Sequence, residues 1–291
     1  MKSFTDKVAA ITGAGSGIGR ALALNLAAQR CHLALSDINE EAVKETAAQA
    51  QKHGVKVTTA RLDVSDAAAV QAWADQVVAE HGKVNMIFNN AGVSLGSTAE
   101  GVSREDFEWI MGINFWGVVY GTQAFLPHLK ASGEGHVINI SSLFGLLSVP
   151  GQSTYNASKF AVRGFTECLS QEMMVTRAPV GVTCVHPGGI KTNIARSARL
   201  SQDLAQRFGS GDKDPREDFE KFFITTPDTA AQVILNGVRK NKRRVLIGRD
   251  AKFLDLVVRL MPSAYQRIVV RFTGKALGRD KPAQDGPAAI S

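Results

Sequence analysis

Between residues 8 and 89, apolar runs of strand length alternate with helical patterns, and no other feature of this chain limits its possible folds so strongly. VAAIT at 8–12 precedes a helical pattern from Ile18 to Gln29, and HLALS at 32–36 precedes one from Glu40 to His53. VKVTTA at 55–60 then leads to a pattern from Ala67 to His81, and VNMIFN follows at 84–89. Strands joined through helices pair in parallel by right-handed crossovers, so this region predicts a doubly wound α/β sheet with helices on both faces. The strands lack strict polar alternation, as a sheet covered on both sides requires.

HVINIS at 136–141 and VGVTCVH at 180–186 predict two more strands, separated by a long helix from about Gln152 to Thr176, and RRVLIG at 243–248 predicts a last one. No linker or repeat divides the chain before residue 190, so residues 1–249 are expected to form one domain. Within it, the charged stretch 191–226, with Gly209, Gly211 and Pro215, is expected to be an inserted, mobile substrate cover. A C-terminal helical extension over 250–280 and a disordered tail over 281–291 complete the expected organisation.

With 44% hydrophobic and 21% charged residues the composition is that of a soluble globular protein. MKSFTDKVAAITG is apolar too briefly for a secretory segment, and the uncharged run from Gly135 to Ser158 is too polar to span a bilayer; a cytoplasmic protein is expected. Cys31, Cys168 and Cys184 lack any metal-ligand spacing and are expected to be reduced thiols, with no metal site. The net charge of +7 is concentrated late: residues 191–291 hold 20 Lys and Arg against 11 Asp and Glu, whereas residues 1–190 hold 14 against 16.

TGAGSGIG, Thr12 to Gly19, lies between the first strand and the first helix. There, glycines permit a tight turn and close backbone approach, and the free N–H groups of Ser16, Gly17, Ile18 and Gly19 at the helix start suit a pyrophosphate, with Gly13 opening the turn. Asp37, at the end of the second strand, can accept hydrogen bonds from an adenosine ribose and would repel a 2′-phosphate, which favours NAD over NADP. The plainer reading of Asp37 is an acid preceding a helix N-terminus.

In STYNASKF, Ser153 to Phe160, Tyr155 and Lys159 are four apart and share a helix face. Such a pair is ordinarily a solvated surface contact. It is also a plausible proton-transfer device, because a lysine ammonium favours the phenolate of a tyrosine whose free pKa is about 10.

Taken together, TGAGSGIG, LDV at 62–64, NNAG at 89–92, Asn114, ISS at 140–142, YNASK at 155–159 and HPGGIKT at 186–192 resemble the short-chain dehydrogenase/reductase family, in its order and approximate spacing. The resemblance covers residues 5 to about 247 and implies a Rossmann-type oxidoreductase. It implies that Asp63 and Val64 lie at the adenine, Asn90 at the ribose side, Ala91 and Gly92 on the cofactor floor, and Pro187, Gly188, Ile190 and Thr192 beside the nicotinamide. It also implies Tyr155 as acid/base, Lys159 as its tuning and ribose-holding partner, Ser142 as the residue holding the substrate oxygen, and Asn114 as a proton-relay anchor. Ser141 competes with Ser142, and family spacing favours Ser142. Judged alone, Asn114 reads as a cap or loop residue before a helix beginning near Phe115. His186 reads as structural.

Substrate contacts are expected from Val93, Ser94 and Leu95, from Leu143, Phe144 and the residues to Leu147, and from Val149 and Gln152. Their apolar character predicts a secondary alcohol or ketone on a hydrophobic skeleton. An NADP-linked carbonyl reductase and a noncatalytic dinucleotide-binding sensor or scaffold are the competing readings. The resemblance suggests a homodimer or homotetramer. In the C-terminal extension, Lys252, Asp255 and Arg259 share one helical face, and Tyr265, Ile268, Val269 and Phe272 form an apolar stripe. This basic amphipathic pattern suits an anionic membrane, a partner subunit or a cover over the pocket. Nucleic acid is not expected, because no stacking platform or recognition helix accompanies the charge.

Overall fold

The computed structural model describes residues 1–201, 204 and 223–276. Seven parallel strands lie in the order β3-β2-β1-β4-β6-β7-β9. They are β1 (Val8–Thr12), β2 (His32–Asp37), β3 (Val57–Arg61), β4 (Met86–Asn89), β6 (Gly135–Ile140), β7 (Val180–Pro187) and β9 (Arg244–Ile247). Two short strands, β5 (Leu95–Gly96) and β8 (Arg199–Leu200), pair beside the sheet. Helices α1 (Gly17–Ala27), α2 (Glu40–Gln51) and α7 (Pro227–Arg239) cover one face. On the other lie α3 (Ala67–His81), α5 (Gly117–Ala131) and α6 (Ser153–Val175). The Rossmann-type sheet expected from the alternating pattern is therefore present.

The pleat separates the two cores. In β1, Ala9 and Ile11 join Leu22, Leu26, Val43 and Ile234, whereas Val8 and Ala10 join Trp73, Phe125, Leu129 and Leu169. The second core also holds polar groups: Asn89 Nδ2 donates to Asn139 Oδ1 (2.8 Å) and Thr122 Oγ1 (3.1 Å), and Asn139 Nδ2 donates to Thr166 Oγ1 (3.0 Å). Pairing these amides limits the cost of desolvating them and ties β4 and β6 to the helices above.

One boundary differs from expectation. Helix begins at α4 (Arg104–Met111), passes through a π turn over Gly112–Trp116 and continues directly as α5. Asn114 is therefore inside a helical run and fully buried, not a cap before a helix starting at Phe115. The extra residue of a π turn displaces the side chains around it, a local distortion that pattern reading does not detect.

The C-terminal extension packs on the domain. Helices α8 (Arg249–Leu260) and α9 (Tyr265–Ala276) bring Ala251 and Tyr265 into a third apolar cluster with Leu143, Leu146 and Leu147. Of the expected cover, β8 docks on β5, Leu204 is buried, and Ile190 bridges to Thr225. Gly209, Gly211, Pro215 and the 281–291 tail lie outside the described residues. Among those described, no helix is long and apolar enough to cross a membrane.

His136 supplies a pH test of the core. Its Nε2 lies 2.8 Å from Thr183 Oγ1, and that hydroxyl donates to Lys242 O (2.7 Å), so the imidazole donates from Nε2 and is neutral. Burial pushes its pKa from 6.5 to about 4. The native state thus binds fewer protons than the unfolded chain between those values; the stabilisation is complete above about pH 6.5 and is lost as pH falls towards about 4. One such group is worth about 3 kcal/mol over that window. His136→Gln, which keeps a donor to Thr183, should shrink the drop in urea midpoint between pH 7.5 and pH 5; an unchanged drop would remove His136 as a cause.

Candidate active site

The carboxyl ends of β1, β2, β4, β6 and β7 place the TGAGSGIG turn, Asp37, the NNAG segment, Ser141–Ser142 and Pro187 along one edge of the sheet. The turn is shaped for close backbone packing. Gly13 has a φ of +64°, and a Cβ there would lie 2.8 Å from Ala91 Cα. At Gly19 a Cβ would fall 2.1 Å from the Gly13 carbonyl oxygen. Ser16 caps α1 without a side-chain hydrogen bond, so its hydroxyl leaves the N–H groups of that first turn uncapped. Ile18 packs against the first core, and Thr192 leans over Gly17. An uncapped helix start behind a glycine turn fits the diphosphate of a dinucleotide.

Asp37 and Asn90 fix this turn from opposite sides. Gly15 N donates to Asp37 Oδ2 (2.8 Å) and Asn39 N donates to Asp37 Oδ1 (2.9 Å). The cap of α2 is Asn39, so Asp37 both precedes that helix N-terminus, as the plainer reading has it, and holds the glycine turn. Asn90, expected at the ribose side, donates its amide to Thr12 O (2.9 Å) and Gly13 O (3.1 Å). Its side chain therefore braces the turn. Thr12 Oγ1 accepts from Asn90 N and Ala91 N, both at 3.0 Å, which fixes the floor leading to Gly92. Asp63 accepts from Ser65 N (2.9 Å) and Oγ (2.7 Å), and Val64 is buried against α5 at Gly117. Register pairing sets exposed Arg61 beside Asp37, a cation near the acid that the linear sequence kept 24 positions away.

Ser142, Tyr155, Lys159 and Asn114 converge. Ser141 Oγ donates to Lys159 O (2.8 Å) and is buried. Ser142 Oγ accepts from Phe144 N (3.1 Å), and its hydroxyl lies near enough to the Tyr155 phenol to lower that group's pKa. The two serines are thereby distinguished: Ser141 is engaged with Lys159 O, and Ser142 acts on Tyr155. Lys159 Nζ lies 5.7 Å from the Tyr155 ring centre and donates to Ile140 O (3.2 Å). A Cβ on Gly92 would be 3.1 Å from Asn114 Oδ1 and 3.4 Å from Lys159 Nζ, so both polar atoms border the same small space. Asn114 is held there because Val93 N donates to its Oδ1 (2.8 Å) while its Nδ2 donates to Val93 O (3.0 Å) and Ser158 Oγ (3.1 Å).

The electrostatics differ in one respect from the sequence argument. Burial lowers the Lys159 pKa to about 8. Burial also raises Tyr155 above the ordinary tyrosine value, with the Ser142 hydrogen bond acting in the opposite direction. In the protein alone, desolvation of the phenolate outweighs its polar neighbours, and the phenol stays protonated at neutral pH.

The expected substrate residues separate into distinct positions. Phe144 meets the Tyr155 ring edge-on at 6.1 Å between centres, and Val93 and Ser94 are half-buried nearby in sequence to Gly92. Leu95 is wholly buried in the β5–β8 pairing, and Leu143 packs against Ala251 and Tyr265, so both support a wall and neither presents an open surface. Val149 instead lines a groove of about 580 Å³ with Pro150, Ala157, Phe160, Val269 and Val270. Helical spacing puts Ala157 and Phe160 on the opposite side of α6 from Tyr155. Gln152 bridges to Ser97 at the start of α6.

Several site features escaped sequence reading. Gly189 N donates to Asp250 Oδ2 (2.8 Å), and Ser148 N donates to Tyr265 Oη (3.3 Å), so both C-terminal helices hold loops of the site. Pro187 ends β7, Gly188 N donates to Ile247 O (2.9 Å), and Ile190 is buried. His186 is structural, as expected: its Nδ1 lies 3.1 Å from Ser142 O. Neutral imidazole must donate there, and burial lowers its pKa to about 4. These links join residues far apart in sequence and carry no local signal.

Comparison with known proteins agrees with this arrangement. The family model described as short chain dehydrogenase matches residues 7–203. SadH of Mycobacterium tuberculosis, named as an oxidoreductase, is 51% identical over 280 residues, covering 94% of this chain and 98% of that protein. A Burkholderia phymatum short chain dehydrogenase/reductase in complex with NAD superimposes with a TM-score of 0.76 at 29% identity, covering 100% of both chains. The alcohol dehydrogenase of Thermococcus sibiricus, complexed with 5-hydroxy-NADP, gives a TM-score of 0.70 at 27% identity, covering 83% of this chain and 95% of that one. Sequence, sheet order and the shared edge lead to one assignment: this oxidoreductase belongs to the short-chain dehydrogenase/reductase family.

Proposed function

We propose that this enzyme interconverts a secondary alcohol and a ketone on a hydrophobic small molecule, with NAD as the preferred cofactor. The observation that carries this reading is the convergence of the four groups: Lys159 Nζ lies 5.7 Å from the Tyr155 ring centre and borders the same space at Gly92 as Asn114 Oδ1, with the Ser142 side chain acting on the phenol. A bound nicotinamide would supply the hydride acceptor for oxidation of the carbinol carbon and the hydride donor for reduction of the ketone. In oxidation Tyr155 Oη takes the hydroxyl proton, and in reduction it delivers that proton to the carbonyl oxygen. Ser142 donates to the same oxygen and holds it as charge develops. Lys159 stabilises the phenolate, and Asn114 Oδ1 anchors a water through which the proton leaves. A noncatalytic dinucleotide-binding module would have no use for this grouping.

For the cofactor, the N–H groups of Ser16 to Gly19, with Gly13 at the turn, would hold the diphosphate, and Asp37 would accept from the ribose. Asp63 and Val64 would border the adenine, with Ala91 and Gly92 as the floor. Lys159 and Tyr155 would hold the second ribose, and Pro187, Gly188, Ile190 and Thr192 would lie beside the nicotinamide. Apolar Val93 and Phe144, beside Leu143 and Leu95, favour a hydrophobic substrate over a polyol or an anionic acid. The functional unit is a homodimer or homotetramer.

A second reading has support from Arg61: its guanidinium, one strand over from Asp37, suits the 2′-phosphate of NADP. Paired titrations decide between them. Binding of NAD should be at least about tenfold tighter than that of NADP, given the like charge at Asp37; the reverse order would assign the site to NADP through Arg61.

Tyr155→Phe should retain NAD affinity and lose about 10²–10⁴ in turnover, measured by NADH absorbance across a panel of alcohols and ketones. Retained turnover would remove Tyr155 from the chemistry. Ser142→Ala removes the hydrogen bond that lowers the Tyr155 pKa. Oxidation needs the deprotonated phenol, so the rising limb of its kcat/KM profile should move to higher pH. Superimposable profiles would count against the Ser142–Tyr155 pairing.

A further inference from the structure

The inner faces of α8 and α9 are committed to the protein, and their outer faces have a different character. On α8, Ala251 and Asp255 are buried, and Asp255 is paired with Arg244 and, at 3.0 Å, with Arg259. Phe253, Leu256 and Leu260 point the other way, 65%, 54% and 72% exposed, and their spacing aligns them in one stripe. Arg249 falls within that stripe, with Lys252 and Arg259 along its flank. On α9, Tyr265 is buried, and the side away from it carries Arg267 and Arg271. Asp250 is turned inward onto Gly189. The outward charge of these two helices is thus wholly basic, since their two acids are both engaged inside.

We infer that the outer face of α8 and α9 docks this enzyme on an anionic lipid surface. An exposed stripe of one aromatic and two leucines suits the boundary between headgroups and acyl chains, and the surrounding cations suit lipid phosphates. Charge selects this occupant over a second copy of the chain. A two-fold contact through the stripe would bring Arg249 and Lys252 of one copy against the same cations of the other, with no outward acid to compensate. The stripe on α8 is a convex helix face that takes no part in the groove Val269 and Val270 line with α6, which disfavours an acidic peptide or a nucleic acid strand there. Docking there would set the enzyme at the interface where a hydrophobic alcohol or ketone is concentrated, and its substrate-side loop over 143–149 lies directly beneath the same helices.

The test uses the whole protein with phosphatidylcholine vesicles, with and without phosphatidylglycerol, in a sedimentation assay. Partition onto the anionic vesicles should exceed that onto the neutral ones by at least about tenfold and should fall as salt is raised. The combined substitution Phe253→Ser, Leu256→Ser, Leu260→Ser should reduce partition by about tenfold or more while the mass of the free protein stays constant. Arg249→Glu with Lys252→Glu, which leaves the apolar core untouched, should abolish the preference for anionic vesicles. Absence of wild-type partition, or equal partition onto both vesicle types, overturns the inference. So does a drop in solution mass in the stripe variant, which would assign the face to self-association. Failure here leaves the hydride-transfer reading intact, because that reading is measured with soluble substrates and does not involve these side chains.

Discussion

Everything functional in this protein depends on a sheet whose strands all run the same way and are covered on both faces. Parallel strands all end at one edge, so the residues that follow their carboxyl ends gather there, between helix layers, without opening the core. Thr12, Asp37, Asn89 and Pro187 end four of these strands and Ser142 lies just past a fifth, at positions spread over most of the domain. The two apolar cores hold those strands in register, so burial of residues such as Ile11, Phe88 and Ile138 is what brings distant polar groups to a common location.

The candidate active site also sets stability against chemistry. Lys159 is buried, and its ammonium is held by the Ile140 carbonyl, Tyr155 and the space shared with Asn114. Burial reduces its affinity for a proton and simultaneously keeps Tyr155 neutral. The result is a pair whose protonation responds strongly to any charge placed beside it. The π turn at Gly112–Trp116 serves the same region by directing Asn114 inward between Val93 and Ser158, a placement that continuous α-helix would alter.

Beyond the family match, the chain adds helices that join the site to the surface. Asp250 receives the Gly189 N–H, Tyr265 receives the Ser148 N–H, and Arg244 with Asp255 fastens α8 to the edge strand β9. The loop after Ser142 is consequently packed between the catalytic helix α6 and the C-terminal extension. The apolar residues that the sequence marks as pocket candidates are therefore divided, with Phe144 at Tyr155, Leu143 in the wall, and Val149 on the reverse side of α6.

The sequence by itself determined the sheet, its helices and the chemical character of the site, because periodicity, glycine placement and i, i+4 spacing are local properties of a chain. The strand, helix and turn around TGAGSGIG and the shared face of Tyr155 and Lys159 were legible for that reason. Tertiary structure alone decided which serine acts on Tyr155, that Asn90 braces the glycine turn, that Arg61 stands beside Asp37, and that α8 turns its two acids inward. Each of those outcomes depends on pairing or packing between residues remote along the chain. Hydrogen-bond direction and burial there follow from three-dimensional proximity, which no local pattern records.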